Sequence, residues 1–205
     1  MEFFVNRSFL LAVTGGIGCG KSWVMGQLRC HSFVTLSCDE VAHALLDDVE
    51  LVDQLVEQFG DTILMESKKI NRKALAERVF NDERARLALN GLVHPLVGEQ
   101  VVNWMEARRG LKERGAVEVP LLFECGWDAW EWDAIVAVKA DEVIVRERLH
   151  ERGWSAAEME QRLEAQWPVE RKAERADFIL NTSEPEIEVE KKLRAQVMRW
   201  LQKGM

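Results

Sequence analysis

The stretch that decides the fold is Phe9-Leu-Leu-Ala-Val-Thr14 followed by Gly15-Gly-Ile-Gly-Cys-Gly-Lys-Ser22. The first part is a continuous apolar run, which predicts a strand buried on both faces, as in a parallel sheet. The second part matches G-x-x-x-x-G-K-[ST] between a predicted strand and a predicted helix, the context that identifies a P-loop. Its glycines let backbone N–H groups surround phosphate oxygens, Lys21 reaches the terminal phosphates, and the Ser22 hydroxyl ligates magnesium. The motif therefore predicts binding of a nucleoside triphosphate with Mg²⁺.

Four further apolar runs predict the rest of the sheet. They are Phe33–Leu36, Ala116–Phe123 with Pro120 near its end, Ala134–Val138 and Phe178–Leu180. Helical patterns lie between them, and this alternation predicts an α/β fold with a parallel sheet of about five strands. Two capping-box patterns, Ser155 with Glu158 and Ser183 with Glu186, indicate helix starts.

Composition narrows the class of protein. The chain has 205 residues and a net charge of −8, which disfavours a broad nucleic-acid surface. Its four cysteines fit no zinc spacing, and no secretory signal or bilayer-spanning apolar run is visible, so we expect a cytoplasmic protein without a membrane partner. We expect a monomer or a weak oligomer. The chain lacks the Asn-Lys-x-Asp and Asp-x-x-Gly motifs of GTPases and the Leu-Ser-Gly-Gly-Gln signature of transporter ATPases.

An ordered set of motifs then resembles the dephospho-CoA kinase family over essentially the whole chain. The P-loop is specific by itself, and the remaining pieces gain specificity from their order. They are Asp39-Glu-Val-Ala42, Arg72, Val79-Phe80, His94-Pro95, Val119-Pro-Leu-Leu-Phe-Glu124, Arg148-Leu-His-Glu-Arg152, Gln166, and Ala176-Asp177 with Asn181.

The resemblance implies a fold, an activity and a domain plan. The fold is the three-layer P-loop NTPase fold with a helical substrate-binding insert and a helical lid. The activity is transfer of the γ-phosphoryl group of ATP to the ribose 3′-hydroxyl of dephospho-CoA, the last step of CoA synthesis. The parts are a P-loop core (1–39, 116–140 and 176–205), a helical CoA-binding insert (40–115) and an arginine-rich lid (141–175).

The resemblance also implies site residues. The expected catalytic residues are Asp39, Lys21 and Arg148, with Ser22 as the metal ligand. The expected nucleotide-binding residues are Gly16, Ile17, Gly18, Cys19, Gly20, Lys21, Ser22, Trp23, Arg152 and Asn181. The expected substrate-binding residues are Asp39, Arg72, His94, Pro95, Leu121 and Glu124.

Each of the central roles has a structural alternative. Asp39 is either the group that positions the acceptor hydroxyl and takes its proton or a helix N-cap. Arg148 and Arg152, four residues apart, either close over the triphosphate or belong to a solvated helix face paired with Glu147 and Glu151.

Three further motifs stay open in the same way. His94-Pro95 either contacts the CoA portion or ends one helix and starts another. Glu124 either polarises a water on magnesium or simply ends a strand. The tryptophans at 127, 130 and 132 either stack on a ligand or pack a loop against the core.

The chain departs from the family pattern at three positions. Trp23 stands where the family usually has Thr, Ser37 where many members have an Asp, and Asn90 where an acid is common ahead of His94. Two other functions are therefore weighed: a P-loop kinase for another small hydroxyl or nucleotide acceptor, and a nucleotide-binding protein with impaired catalysis.

Overall fold

The computed structural model describes residues 7–80 and 82–203. Within them, five strands form one parallel sheet in the order β2-β3-β1-β4-β5. The strands are β1 (Phe9–Gly15), β2 (Val34–Ser37), β3 (Arg114–Glu118), β4 (Ala134–Lys139) and β5 (Phe178–Asn181). The predicted α/β fold class is confirmed.

Helices connect and flank these strands. They are α1 (Lys21–Cys30), α2 (Cys38–Leu45), α3 (Val49–Phe59), α4 (Arg72–Phe80), α5 (Glu83–Gly110), α6 (Glu142–Glu151), α7 (Ala156–Glu164), α8 (Val169–Glu174) and α9 (Glu186–Lys203). Short 3₁₀ turns lie at Asp61–Ile63 and Trp127–Ala129. In the described part of the chain, no helix is both long and apolar enough to cross a bilayer.

The central strand β1 is buried because it pairs on both sides. It is parallel to β3 through Phe9↔Arg114 and to β4 through Leu11↔Ala134. Residues 10 to 13 of β1 have no exposed surface. The prediction that the continuous apolar run is a strand buried on both faces is confirmed. The chain leaves the carboxyl end of β1 directly into the glycine loop, the place where open α/β sheets bind ligands.

The third strand differs from its prediction. It ends at Glu118, whereas the apolar run continues to Phe123. Pro120 has no N–H to add to a ladder, and residues 120 to 126 form consecutive turns instead. Leu122 and Phe123 are nevertheless buried, so their apolar character reflects the core and not a longer strand.

The two predicted capping boxes have opposite outcomes. Ser155 and Glu158 form the full reciprocal box at the start of α7. The second prediction is wrong, because Ser183 Oγ accepts a hydrogen bond from the Asp141 N–H at 2.6 Å. Helix α9 begins beyond Pro185, whose carbonyl accepts from the N–H groups of Glu188 and Val189.

The chain divides into two compact units. The first comprises Met1–Ser37 and Met105–Met205 and holds the sheet. The second is Cys38–Trp104 and contains α2, α3, α4, most of α5 and a Leu64↔Ile70 bridge. The expectation that a helix ends at His94-Pro95 is wrong, because Pro95 lies inside the single helix α5. An interior proline removes one hydrogen bond, but α5 buries an i, i+4 row that favours its continuation: Val93, Val97, Val101 and Met105.

Candidate functional site

The backbone of the glycine loop excludes side chains at three positions. Gly15 has φ 144°, and a Cβ there would lie 2.1 Å from the Val138 carbonyl oxygen of β4. Gly18 and Gly20 have φ 73° and 87°, a region that L residues rarely adopt. Gly20 is also the N-cap residue of α1. The glycines of the motif are therefore required by the conformation of the loop itself.

Lys21 lies back across the loop. Its Nζ donates to the carbonyl oxygens of Gly15 at 3.2 Å and Gly16 at 3.0 Å, and the residue is buried. The ammonium group is thus held at the loop that a phosphate would enter. Ser22, the next residue on α1, is exposed in the first helical turn.

The side chain of Arg148, on α6, binds the main chain of the P-loop. Its Nη1 donates to the carbonyl oxygen of Gly18 at 3.2 Å and to Thr182 Oγ1 at 2.9 Å, and its Nη2 donates to the Thr182 carbonyl at 2.9 Å. Thr182 Oγ1 in turn donates to the Cys19 carbonyl at 2.8 Å. Arg148 therefore does not belong to a solvated helix face paired with neighbouring glutamates, which was the alternative.

The β5–α9 loop carries further contacts around the P-loop. Asn181 Oδ1 accepts from the Ser183 N–H at 3.1 Å, which closes a short turn around Thr182. Trp23 Nε1 donates to Glu186 Oε1 at 3.1 Å, so the residue that departs from the family pattern joins α1 to the start of α9. Sequence reasoning missed Thr182, because its partners, the Cys19 carbonyl and the Arg148 side chain, lie far away in the sequence.

A buried ion pair lies beyond β3. Lys172 of α8 is fully buried; its Nζ is 2.8 Å from Glu124 Oε1 and donates to the Pro120 carbonyl at 2.6 Å. Glu124 Oε1 also accepts from the Trp167 N–H at 2.9 Å. Glu124 Oε2 is buried without a hydrogen-bond partner in the described residues. Trp167, just before α8, and Lys172, within α8, are therefore both bonded to the segment after β3.

Aromatic contacts strengthen the same attachment. The Trp167 ring is stacked on Phe123, with ring centroids 6.3 Å apart and an interplanar angle of 8°. The guanidinium of Arg171 lies 3.4 Å from the centroid of the Trp167 ring. A cavity of about 490 Å³ opens between this segment and the P-loop. Its lining includes Gly16, Ile17, Cys19, Gln166, Trp167 and Val169.

The second unit holds four of the predicted site residues, Asp39, Arg72, His94 and Pro95. Asp39 is exposed in the first turn of α2, which begins at Cys38, so Asp39 lies inside the helix and is not its N-cap. Arg72 Nη2 donates to the His43 carbonyl at 3.0 Å and lies 3.5 Å from Asp47 Oδ2. His94 is half-buried within α5 and Pro95 is exposed.

Some predicted residues are not brought into these networks. Arg152 is the exposed C-cap residue of α6, so it does not join Arg148 at the P-loop carbonyls. The tryptophan cluster packs on itself: Trp127 and Trp130 are stacked at 4.6 Å, and Trp132 Nε1 donates to the Trp127 carbonyl at 2.8 Å. This contact agrees with loop packing. Leu121 lies half-buried in the turns after β3.

Burial shifts the pKa of three groups at or near these residues. It raises the pKa of the Cys19 thiol, although the nearby charges of Lys21 and Arg148 act in the opposite direction. It also raises the pKa of Cys125, with a further increase from Glu124. Burial lowers the pKa of His94. Both thiols are therefore neutral near pH 7, and neither is a ready nucleophile.

A parallel sheet whose central strand runs into this loop, with Lys21 and Ser22 at the start of α1, defines a P-loop nucleotide-binding protein. A family model described as dephospho-CoA kinase matches residues 9–187. The chain belongs to the dephospho-CoA kinase family, whose members are kinases that use ATP.

Individual relatives agree with this assignment. The dephospho-CoA kinase of Geobacillus kaustophilus is 34% identical over 193 residues, covering 93% of this chain and 96% of that protein. That of Anaeromyxobacter dehalogenans is 36% identical over 184 residues, covering 86% and 85%. Among solved structures, TT1252 from Thermus thermophilus has a TM-score of 0.80 at 28% identity, covering 94% of this chain and 97% of that one.

Proposed function

We propose that this chain transfers the γ-phosphoryl group of ATP to the ribose 3′-hydroxyl of dephospho-CoA, giving CoA and ADP as the final step of CoA biosynthesis. The observation that carries the proposal is the preformed P-loop with Lys21 held at its mouth, in a chain whose family match spans residues 9–187. The three parts of the predicted plan, the core, the CoA-binding insert (40–115) and the lid (141–175), are proposed to act together in this reaction.

The loop and Lys21 are proposed to bind the ATP phosphates. The transition state of phosphoryl transfer is loose and highly charged, so positioning and charge neutralisation supply most of the acceleration. Lys21 Nζ donates to the carbonyl oxygens of Gly15 and Gly16, which keeps its positive charge at the loop. A phosphate that enters the loop is attracted by the positive charge of Lys21. Gly16 to Gly20 and Trp23 complete the proposed nucleotide contacts.

Mg²⁺ fits the donor set that the chain offers. P-loop enzymes hold it with one or two protein oxygens and the substrate phosphates, so no all-protein cage is needed. In the described residues no group of three or more His, Cys, Asp or Glu side chains could hold a metal ion. The exposed Ser22 hydroxyl is the proposed ligand, and the bound ion would supply neutralising charge on the phosphate oxygens.

Asp39 is proposed to orient the acceptor hydroxyl and accept its proton. Its carboxylate is exposed in the first turn of α2, directly after β2, and is thus accessible to a substrate. Arg72, His94, Pro95, Leu121 and Glu124 are the proposed dephospho-CoA contacts. Arg148, Arg152 and Asn181 are proposed to act on the nucleotide, and Arg148 does so from a position already bonded to the loop.

The test is ADP release with dephospho-CoA as acceptor, with AMP, shikimate and gluconate as controls. We expect turnover with dephospho-CoA alone and a product that co-elutes with CoA in liquid chromatography and has its added mass. Turnover with a control acceptor and none with dephospho-CoA would overturn the substrate assignment. ATP binding without transfer to any acceptor would favour a catalytically impaired protein.

A conformational part of the proposal has its own test. If residues 141–175 act as a lid, ATP with an unreactive acceptor analogue should slow hydrogen exchange in that range. Equal exchange with and without ligands would remove the lid from the proposal. A cytoplasmic location, a monomeric or weakly oligomeric state and the absence of a nucleic-acid partner stay predictions.

A further inference from the structure

The side chain of Thr182 connects the loop after β5 to the phosphate-binding loop. We propose that Thr182 is a positioning residue of the P-loop, and that its hydroxyl sets the peptide between Cys19 and Gly20 so that the Gly20 N–H is available to a phosphate oxygen. The proposal rests on nucleotide binding by this loop and not on the identity of the acceptor.

The first step of the argument is the geometry of that peptide. A trans peptide is planar, and its C=O and N–H groups point in opposite directions. Thr182 Oγ1 donates to the Cys19 carbonyl at 2.8 Å, which fixes that carbonyl toward Thr182. The Gly20 N–H, on the same peptide, therefore points away from Thr182. In the part of the chain that the structure describes, no hydrogen bond uses this N–H as a donor.

The second step is the strength of the contact. The Thr182 hydroxyl accepts from the Arg148 guanidinium at 2.9 Å while it donates to the Cys19 carbonyl. A cation that donates to a hydroxyl makes that hydroxyl a better donor, so the chain of two hydrogen bonds is stronger than its parts taken singly. Arg148 also donates to the Gly18 carbonyl at 3.2 Å, so two successive carbonyls of the loop are held from one side.

The third step is that Thr182 itself is fixed. Its N–H donates to the Lys139 carbonyl at 2.9 Å, and its own carbonyl accepts from Arg148 Nη2 at 2.9 Å. Only 9% of the residue is exposed, so water does not readily replace the hydroxyl. The hydroxyl also lies 3.4 Å from the Lys139 carbonyl oxygen, but the Cys19 carbonyl oxygen at 2.8 Å is the nearer acceptor. With the residue held in place, its hydroxyl is directed at the Cys19–Gly20 peptide.

The fourth step is the conformation that the contact maintains. Gly20 has φ 87°, and a Cβ there would lie 3.3 Å from Thr182 Oγ1, so the loop approaches Thr182 closely at this point. In the described residues the Gly20 N–H has no hydrogen-bond acceptor that would hold this peptide in place before a phosphate binds. The Thr182 hydroxyl therefore orders this peptide before a ligand binds. A polyphosphate then loses less binding free energy to ordering the loop.

The test compares Thr182→Val, which has nearly the same shape but no hydroxyl, with Thr182→Ser, which keeps it. Binding of ADP and of inorganic tripolyphosphate is measured by calorimetry, without any acceptor. We expect Thr182→Val to weaken both ligands about tenfold, the effect of losing one hydrogen bond. Thr182→Ser should stay within about threefold of the natural protein. With ATP as substrate, KM should rise in proportion, while kcat changes less.

Ser183→Ala is the matched control. It removes a hydroxyl from the adjacent residue, whose partner is the Asp141 N–H and not the P-loop. It should leave the affinity for tripolyphosphate unchanged even where it lowers the melting temperature. Equal weakening by Ser183→Ala and Thr182→Val would overturn the proposal, since it would show a general effect of loop stability. Unchanged affinity in Thr182→Val would also overturn it.

A measurement on the natural protein serves where Thr182→Val does not fold. Tripolyphosphate should slow hydrogen exchange of the Gly20 amide, followed by NMR, because the N–H that was open becomes bonded to phosphate. An exchange rate that tripolyphosphate does not change would overturn the proposal. The binding and exchange measurements require no turnover of dephospho-CoA, so the failure of the proposed acceptor would leave them interpretable.

Discussion

The unit that holds the sheet and the unit Cys38–Trp104 keep their functional side chains in different ways. In the first, Lys21, Lys172 and Thr182 are buried and bonded to main-chain carbonyls. In the second, Asp39 is exposed at a helix start, and Arg72 has a side chain 52% exposed on a helix end. The difference indicates a division of work. Under the proposed function, the sheet unit would supply a preorganised phosphate site, and the helical unit would supply polar groups that a substrate can still engage.

The largest effect should come from Lys21→Ala. Removing the ammonium group takes away charge neutralisation in the transition state, and we expect kcat to fall roughly 10³-fold with weaker ATP binding as well. Steady-state kinetics and calorimetry with ATP give both values. Lys21→Arg, which keeps the charge but not its shape, should be intermediate. If Lys21→Ala retained normal ATP affinity and turnover, the sheet unit would lose its role as the phosphate site.

The next effect should be on stability, from Lys172→Met. This change leaves the Glu124 carboxylate buried without its ion-pair partner, and breaking a buried pair costs about 3 kcal/mol. Urea unfolding at pH 7 measures the loss. The double variant Lys172→Met with Glu124→Gln should recover part of it, because the uncompensated charge is then gone. A loss below about 1 kcal/mol would mean that this ion pair behaves like a surface one.

Asp39→Asn should distinguish most directly between the proposed roles of the two units. The change keeps the shape of the side chain but removes the proton acceptor, so we expect kcat to fall roughly 10²-fold while ATP affinity stays near its natural value. The measurement is turnover with dephospho-CoA beside calorimetric binding of ATP. An unchanged kcat would refute the assigned role, and a parallel loss of ATP affinity would contradict the division between units.

The sequence was sufficient for those parts of the molecule whose causes are local. The buried run before Gly15, the glycine motif after it and the Ser155–Glu158 box each leave a pattern within a few residues. The place of the P-loop followed from the first two, and the fold class from the alternation of apolar runs with helical patterns. Their agreement with the structure reflects short-range hydrogen bonding and strand burial, which leave a readable pattern.

The roles of Thr182 and Lys172 could not be predicted in the same way. Thr182 bonds the Cys19 carbonyl across 163 residues, and Lys172 bonds the Pro120 carbonyl across 52. A main-chain acceptor is present at every residue, so such a contact leaves no signature in side-chain types. The Pro95 prediction was wrong for a related reason. The proline preference is local, but the buried row along α5 outweighs it.

A small effect on stability should follow from Arg72→Ala. The Arg72–Asp47 pair is more than half exposed on both sides, so its loss should change the free energy of unfolding by about 0.5 kcal/mol or less. Lys73→Ala, which removes the exposed partner of Glu77, is the matched control and should behave alike in urea unfolding. The two variants should differ in KM for dephospho-CoA, which rises only for Arg72→Ala. A KM equal to that of Lys73→Ala would remove Arg72 from the substrate site.

The smallest expected effect concerns His94, which is half-buried within α5. Burial lowers its pKa below the ordinary value of 6.5, so near and below pH 6.5 the unfolded chain binds a proton that the folded chain does not. This difference makes the folded state less stable as the pH falls through that window, and it contributes nothing well above pH 6.5. Urea unfolding at pH 7.5, 6.5 and 5.5 should therefore show a decline that is smaller in His94→Gln. If the free energy of unfolding declined equally in both proteins, His94 would behave like an exposed residue. The contrast between the two units would then hold for every polar side chain of the second unit named above.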